Sequence, residues 1–128
     1  MKFSDTVRIG VLGLALVLGG AGVARAGCSE NAVDLRGDWG QARFVIELAD
    51  TVEERAQGLM YRESMARRSG MLFVYEHPQR AVFWMKNTLI PLDMIFVDAT
   101  GTIQHIHKDA IPHDETPIPG GEGIFAVL

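Results

Sequence analysis

The sequence predicts an α+β protein: a compact β-rich domain on a small, partly closed antiparallel or mixed sheet, with one short helix near its N-terminal side. Three observations carry this. Short apolar or alternating runs recur from Arg43 onward, each bounded by Gly, Pro or polar residues, as strands and turns require. Only one stretch, Asp50 to Met60, combines helical spacing with helix start signals. The regular helices between strands that a doubly wound fold needs are missing.

Taken in order, Arg43 to Ala49 reads as the first strand, with Phe44, Ile46 and Leu48 on one face. The helix follows. Thr51 is placed to cap it and Glu54 to complete a capping box, and Glu53 and Glu54 suit the positive end of the helix dipole. Val52, Ala56 and Leu59 or Met60 form an apolar stripe. Gly58, costly inside a helix, signals close packing or an early end. The pair Arg67-Arg68 reads as a solvated loop. Met71 to Tyr75 is continuously apolar, as in a strand covered on both faces. Glu76 to Gln79, with Pro78, reads as a connection, and Ala81 to Met85 as a further strand. Lys86-Asn87-Thr88 is a polar break. Asp93 to Asp98 and Ile103 to Lys108 then pair as a hairpin across Ala99 to Thr102. Asp109 to Gly123 reads as a long loop and Ile124 to Leu128 as a final apolar run. Such a run at the chain end predicts either a sequence cut short or a central strand whose continuation is lost.

Ahead of the domain lies an export signal. Lys2 and Arg8 outweigh Asp5, an apolar run of 15 residues extends from Ile9 to Val23, and Ala24-Arg25-Ala26 is a small-x-small cleavage site. The run is shorter than the roughly 20 apolar residues of a spanning helix and holds five glycines, so cleavage is favoured over an anchor. The division is therefore 1–26 signal peptide, 27–42 flexible leader and 43–128 a single domain lacking its C-terminal end. The expected location is periplasmic or secreted. Lipid anchoring at Cys28 is the alternative, weakened by Arg25 where such signals carry an apolar residue. As the sole cysteine, Cys28 has no internal disulfide partner.

The mature part holds nine basic and fifteen acidic residues, a net charge of −6, and no basic run. A phosphate backbone is repelled by that balance, which argues against nucleic acid as a partner and against charge-driven binding to an anionic membrane. There is no glycine-rich phosphate loop and no cofactor motif. Ser64 and Ser69 lack a nucleophile elbow.

The stretch from Phe83 to Asp98, Phe-Trp-Met-Lys-Asn-Thr-Leu-Ile-Pro-Leu-Asp-Met-Ile-Phe-Val-Asp, resembles the signature of the uncharacterised bacterial and archaeal family called domain of unknown function 192. Glu54 to Glu63 resembles that family's helix and turn, and Gly70 to Tyr75 its next strand. The resemblance runs from about Phe44 to Leu128. It implies a compact β-rich α+β domain, often exported, with no assigned activity, and a further turn and strand after Leu128. The loop Pro112 to Pro117 departs from members that carry a Cys pair there, so no redox role transfers.

Within the signature, alternation sets Trp84 and Lys86 on one strand face, Asn87 and Thr88 supply polar groups at a turn, and Asp93 follows Pro91. With Arg62 just after the helix, these make a candidate pocket for a small polar or anionic ligand. The competing reading is structural: a Lys86–Asp93 or Arg62–Glu63 pair, with Trp84 in the core. An enzyme using Lys86, Asp93 or Arg62 is a further alternative, as is a protein-interaction module without a ligand. His105 and His107, two apart on a strand, are weak metal suspects, with His113, Asp114 and Glu115 nearby. The spacing matches no strong metal motif. Met60, Met65, Met71, Met85 and Met94 read as core filler.

Overall fold

The computed structural model describes residues 6–9, in backbone, and 31–128. The cleavage motif at Ala24-Arg25-Ala26 and Cys28 lie outside the described residues. Among them the strands are β1 (Thr6–Ile9), β2 (Ala32–Gly37), β3 (Gly40–Ala49), β4 (Ser69–Phe83), β5 (Leu92–Asp98), β6 (Ile103–Ala110) and β7 (Ile118–Val127), with one helix, α1 (Val52–Gln57), between β3 and β4. They form a single mixed sheet in the order β1-β2-β3-β4-β7-β5-β6, curled into a half-barrel. Every neighbouring pair is antiparallel except β3 and β4, which run parallel because α1 carries the chain back across.

Four features differ from the sequence-based expectation. Residues 32–42, read as leader, pair as β2 and the start of β3 around a tight turn at Gly37–Gly40. Val33 and Leu35 are buried two apart, a short alternation that polar neighbours and glycines obscure in the sequence. The two strands expected on either side of Pro78 are one strand, β4, whose pairing to β7 breaks register between Val74 and Gln79. The irregularity there, four residues of β4 (75–78) against one of β7 (125), takes up the proline without ending the strand. The expected loop 109–123 is shorter, since β7 already begins at Ile118. The final apolar run is thus the end of an interior strand: β7 pairs with β4 on one side and β5 on the other, and Leu128 exchanges hydrogen bonds of 2.9 and 2.8 Å with Ile95. Lastly, Leu48 is 44% exposed and Ala49 fully buried, so the inward alternation of β3 stops at Ile46.

Both faces of the central strands carry apolar clusters, as the uninterrupted run from Met71 predicts. Met71, Phe73, Phe96 and Val127 pack on one face, and Leu72, Val97 and Ala126 on the other. On the first face Phe73, Phe83 and Phe96 meet edge to face at 5.1 and 5.8 Å between centroids, a favourable arrangement of ring quadrupoles. Burying the apolar side chains of these clusters contributes ~1.5–3 kcal/mol for each large one, before the entropy cost of ordering the chain.

Helix α1 is only six residues long and buries none of them, Val52 being 65% exposed. Of the expected stripe Val52 and Ala56 are exposed and only Leu59, just past the helix, is buried, so the stripe does not dock the helix itself. It is held at its ends and by one arginine. Thr51 Oγ1 accepts the Glu54 N–H at 3.1 Å. Gly58 ends the helix at a φ of 51°, a backbone region that favours glycine, and a Cβ there would press on the Phe73 ring. Both readings of Gly58, early end and close packing, hold. Arg55 donates to the carbonyls of Asp50 and Val74 at 2.6 and 2.9 Å, and its guanidinium lies 5.8 Å from the Tyr75 ring centre. Thr51→Ala is expected to lower stability by about 1 kcal/mol through the lost cap. Urea melts unchanged by the substitution would show that Thr51 is not the cap.

Candidate functional site

The signature stretch folds as a hub. Met85 at its centre is fully buried. Its N–H donates to the Asp114 carbonyl at 2.8 Å, and the His113 N–H donates to the Thr88 carbonyl at 3.1 Å, so the 111–117 loop is clasped to the 85–88 turn. Asn87 sits at a φ of 53°, a left-handed conformation that asparagine tolerates. Its carbonyl accepts the Tyr61 N–H at 2.8 Å and its side-chain amide donates to the Tyr61 hydroxyl at 2.9 Å. Thr88 is buried and its hydroxyl donates to the Lys86 carbonyl at 3.1 Å. The turn thus joins the segment after α1 to the loop before β7.

The five candidate residues separate. β4 ends at Phe83, so Trp84 and Lys86 do not share a strand face as expected; they meet in the turn beyond it, where Lys86 Nζ lies 5.0 Å from the centre of the Trp84 ring in a cation–π contact. Asp93 does not meet Lys86: its Oδ1 accepts the Asp109 N–H at 2.9 Å. Among the described residues the salt bridges are Arg43–Asp34, Arg62–Glu47 and Arg80–Glu122, and none involves Lys86 or Asp93. Arg62 pairs with Glu47 through contacts of 2.8 and 3.2 Å, in place of the adjacent Glu63. That hydrogen bond, then the carboxylate's charge, holds the Arg62 guanidinium above its ordinary pKa. Asn87 is engaged with Tyr61. The expected Lys86–Asp93 pair is therefore absent, because β5 turns Asp93 toward the end of β6.

Lys86→Met and Asp93→Asn are accordingly expected to be independent. Each is expected to cost about 1 kcal/mol or less, for an exposed cation–π contact and a weakened hydrogen bond respectively. The double mutant should equal their sum within about 0.5 kcal/mol. A non-additive loss of about 3–5 kcal/mol in denaturant melts would restore a buried pair.

A cavity of about 330 Å³ opens beside this hub, between α1, the segment 58–70, β4 and β5. Trp84 and Asp93 line it, while Arg62, Lys86 and Asn87 do not. Its walls are largely apolar, including Leu59, Met60, Met65, Met94 and Phe83. Arg67 and Arg68 lie on the same segment at its edge. Sequence reading assigned this arginine pair to a solvated loop and the methionines to core filling. Their convergence arises only when the segment after α1 folds back over the sheet, which no local pattern announces.

The metal suspects lie elsewhere. His105 stacks on Phe96, with ring centroids 5.8 Å apart and 26° between planes. Among the described residues no group of three or more His, Cys, Asp or Glu is placed to hold a metal ion. The sharpest acid site is a turn: Asp98 accepts the Thr100 and Thr102 N–H groups at 2.9 and 3.0 Å and the Gln104 amide at 2.5 Å. Partial burial pushes the Asp98 carboxyl up, but these hydrogen bonds and that of the Thr100 hydroxyl outweigh it and hold it below its ordinary value. The group closes the β5–β6 hairpin.

The curled sheet with one short crossover helix and a side cavity defines a compact α+β domain. The profile of DUF192, described as "Uncharacterized ACR", matches residues 33–128, and the chain belongs to this family. Two solved structures are similar to it. One is a protein of unknown function from Novosphingobium aromaticivorans, 43% identical, with a TM-score of 0.74 over 76% of this chain and 69% of that one. The other is a provisionally assigned transcription regulator from Sinorhizobium meliloti, 43% identical, with a TM-score of 0.73 over 76% of each chain. No curated protein matches.

Proposed function

We propose that the domain is a non-catalytic binding module that takes a small molecule in the cavity beside Trp84. The observation that carries this is the cavity itself. Its volume of about 330 Å³ falls within the range of small-ligand sites, and its walls are mostly apolar with a few polar groups, the usual make-up of such sites. Trp84 offers a half-exposed indole wall and Asp93 a carboxylate. Nine basic against fifteen acidic residues after position 26 disfavour a phosphate backbone.

The binding reading is tested by thermal-shift screening of a metabolite library against the protein and its Ala66→Trp variant. Ala66 is exposed and lines the cavity, so an indole there fills the mouth without entering the core. Ligands that stabilise the protein and lose their effect in A66W support the cavity. Stabilisation that survives A66W overturns it.

The place of action is proposed to be outside the cytoplasm, on the charged start, short apolar run and Ala24-Arg25-Ala26. No helix among the described residues is long and apolar enough to cross a membrane. Intact-mass analysis of the envelope fraction is expected to find a chain beginning at Gly27, which removes β1 and leaves β2 as the edge strand of the sheet. A full-length mass, or a diacylglycerol addition on Cys28, would overturn soluble export.

A further inference from the structure

The charges around the cavity run against those of the molecule. After position 26 the chain carries nine basic and fifteen acidic residues. The cavity lining holds three of the basic residues, Arg55, Arg67 and Arg68, and one of the acidic ones, Asp93. An excess of positive charge thus lines an apolar recess in an otherwise acidic domain. Low-dielectric walls focus such a field and draw in anions.

The three arginines are not equivalent. Arg55 is tied to two backbone carbonyls and to the Tyr75 ring. Arg67 and Arg68 are exposed, and neither forms a salt bridge among the described residues, unlike Arg43, Arg62 and Arg80. Arg68 is held at a φ of 61°, a conformation costly for a long side chain, on the stretch whose carbonyl accepts the Val45 N–H at 2.9 Å. Two adjacent exposed arginines without a salt bridge therefore line a recess walled by methionine, leucine and aromatic side chains. Methionine thioethers adapt to irregular apolar shapes. Guanidinium forks suit a carboxylate through paired hydrogen bonds. Asp93, the acid in the lining, has one oxygen engaged by the Asp109 N–H.

We propose that the ligand is an amphipathic carboxylate, its apolar body in the cavity and its carboxylate on Arg67 and Arg68. This rests on the binding reading above and specifies the class of molecule.

The experiment titrates the protein calorimetrically with three probes of one chain length below their micelle concentrations: decanoate, decanol and decylammonium. The wild type, Arg67→Gln/Arg68→Gln and A66W are compared, with unfolding melts on each to verify the fold. Decanoate is expected to bind at least tenfold more tightly than decanol, and decylammonium more weakly than either. In R67Q/R68Q that advantage is expected to disappear while decanol binding stays unchanged. A66W is expected to weaken all three. Equal binding of decanoate and decanol, or an advantage that survives R67Q/R68Q, overturns the carboxylate assignment and leaves the cavity standing provided A66W still blocks. Binding by none of the probes, or binding indifferent to A66W, overturns the assignment together with the cavity reading for apolar ligands.

Discussion

Gly120→Ala is expected to destabilise the domain by about 3 kcal/mol, the upper end of what overpacking a core costs. Gly120 is buried on β7, and its backbone is not in the left-handed region, so an alanine could adopt its conformation. Space is what forbids it: a Cβ there would overlap the Phe96 ring. Phe96 is itself fully buried between the ring of Phe83 on one side and His105 on another, so it has no free direction in which to yield. Urea melts would read the loss, and Phe96→Leu in the G120A background should recover part of it. A cost below about 0.5 kcal/mol, the range of a neutral surface change, would show that Phe96 moves aside.

Met85→Ala is expected to cost about 2–5 kcal/mol, the range for truncating a fully buried methionine. Its neighbour Trp84 is 46% exposed, and Trp84→Ala is expected to cost about 1 kcal/mol, a typical single-substitution value. The contrast separates two roles inside one short stretch. Met85 anchors the hub that holds the 111–117 loop, while Trp84 is turned toward the cavity and should be felt in ligand binding. Guanidinium denaturation of the two variants checks this. A larger loss in W84A than in M85A would mean that the indole, not the thioether, supports the turn.

Much of the fold was legible because it rests on local signals. Thr51 and Glu54 mark the helix start, and the continuous run from Met71 announces a strand covered on both sides. What escaped depends on distant partners. Ile118 to Gly123 looks like a loop, with its Pro and three glycines, yet it is strand because Phe96 across the sheet requires a residue without a side chain at position 120. Val33 and Leu35 are too few to announce a strand until β3 pairs beside them. At the site, Trp84 and Asp93 were found because the signature draws attention to them. Lys86 and Asn87 were grouped with them by sequence proximity, but a left-handed turn at Asn87 directs its amide to Tyr61. Arg67 and Arg68 escaped because an exposed arginine pair has the same sequence appearance whether or not a cavity forms beside it.

The interior position of β7 has a consequence for how the molecule assembles. Residues 69–83 and 92–98 are near in sequence, yet in the sheet they are bridged by residues 118–127. Until that later segment arrives, the two earlier strands have no shared partner and their apolar faces stay open to water. Closing such non-local pairings is slow, because chain entropy is lost before contacts reward it. A chain with this topology is expected to close its sheet slowly, and refolding kinetics followed by tryptophan fluorescence would check it. For the export proposed above, the same delay would be an asset: a sheet that cannot close early keeps the chain extended.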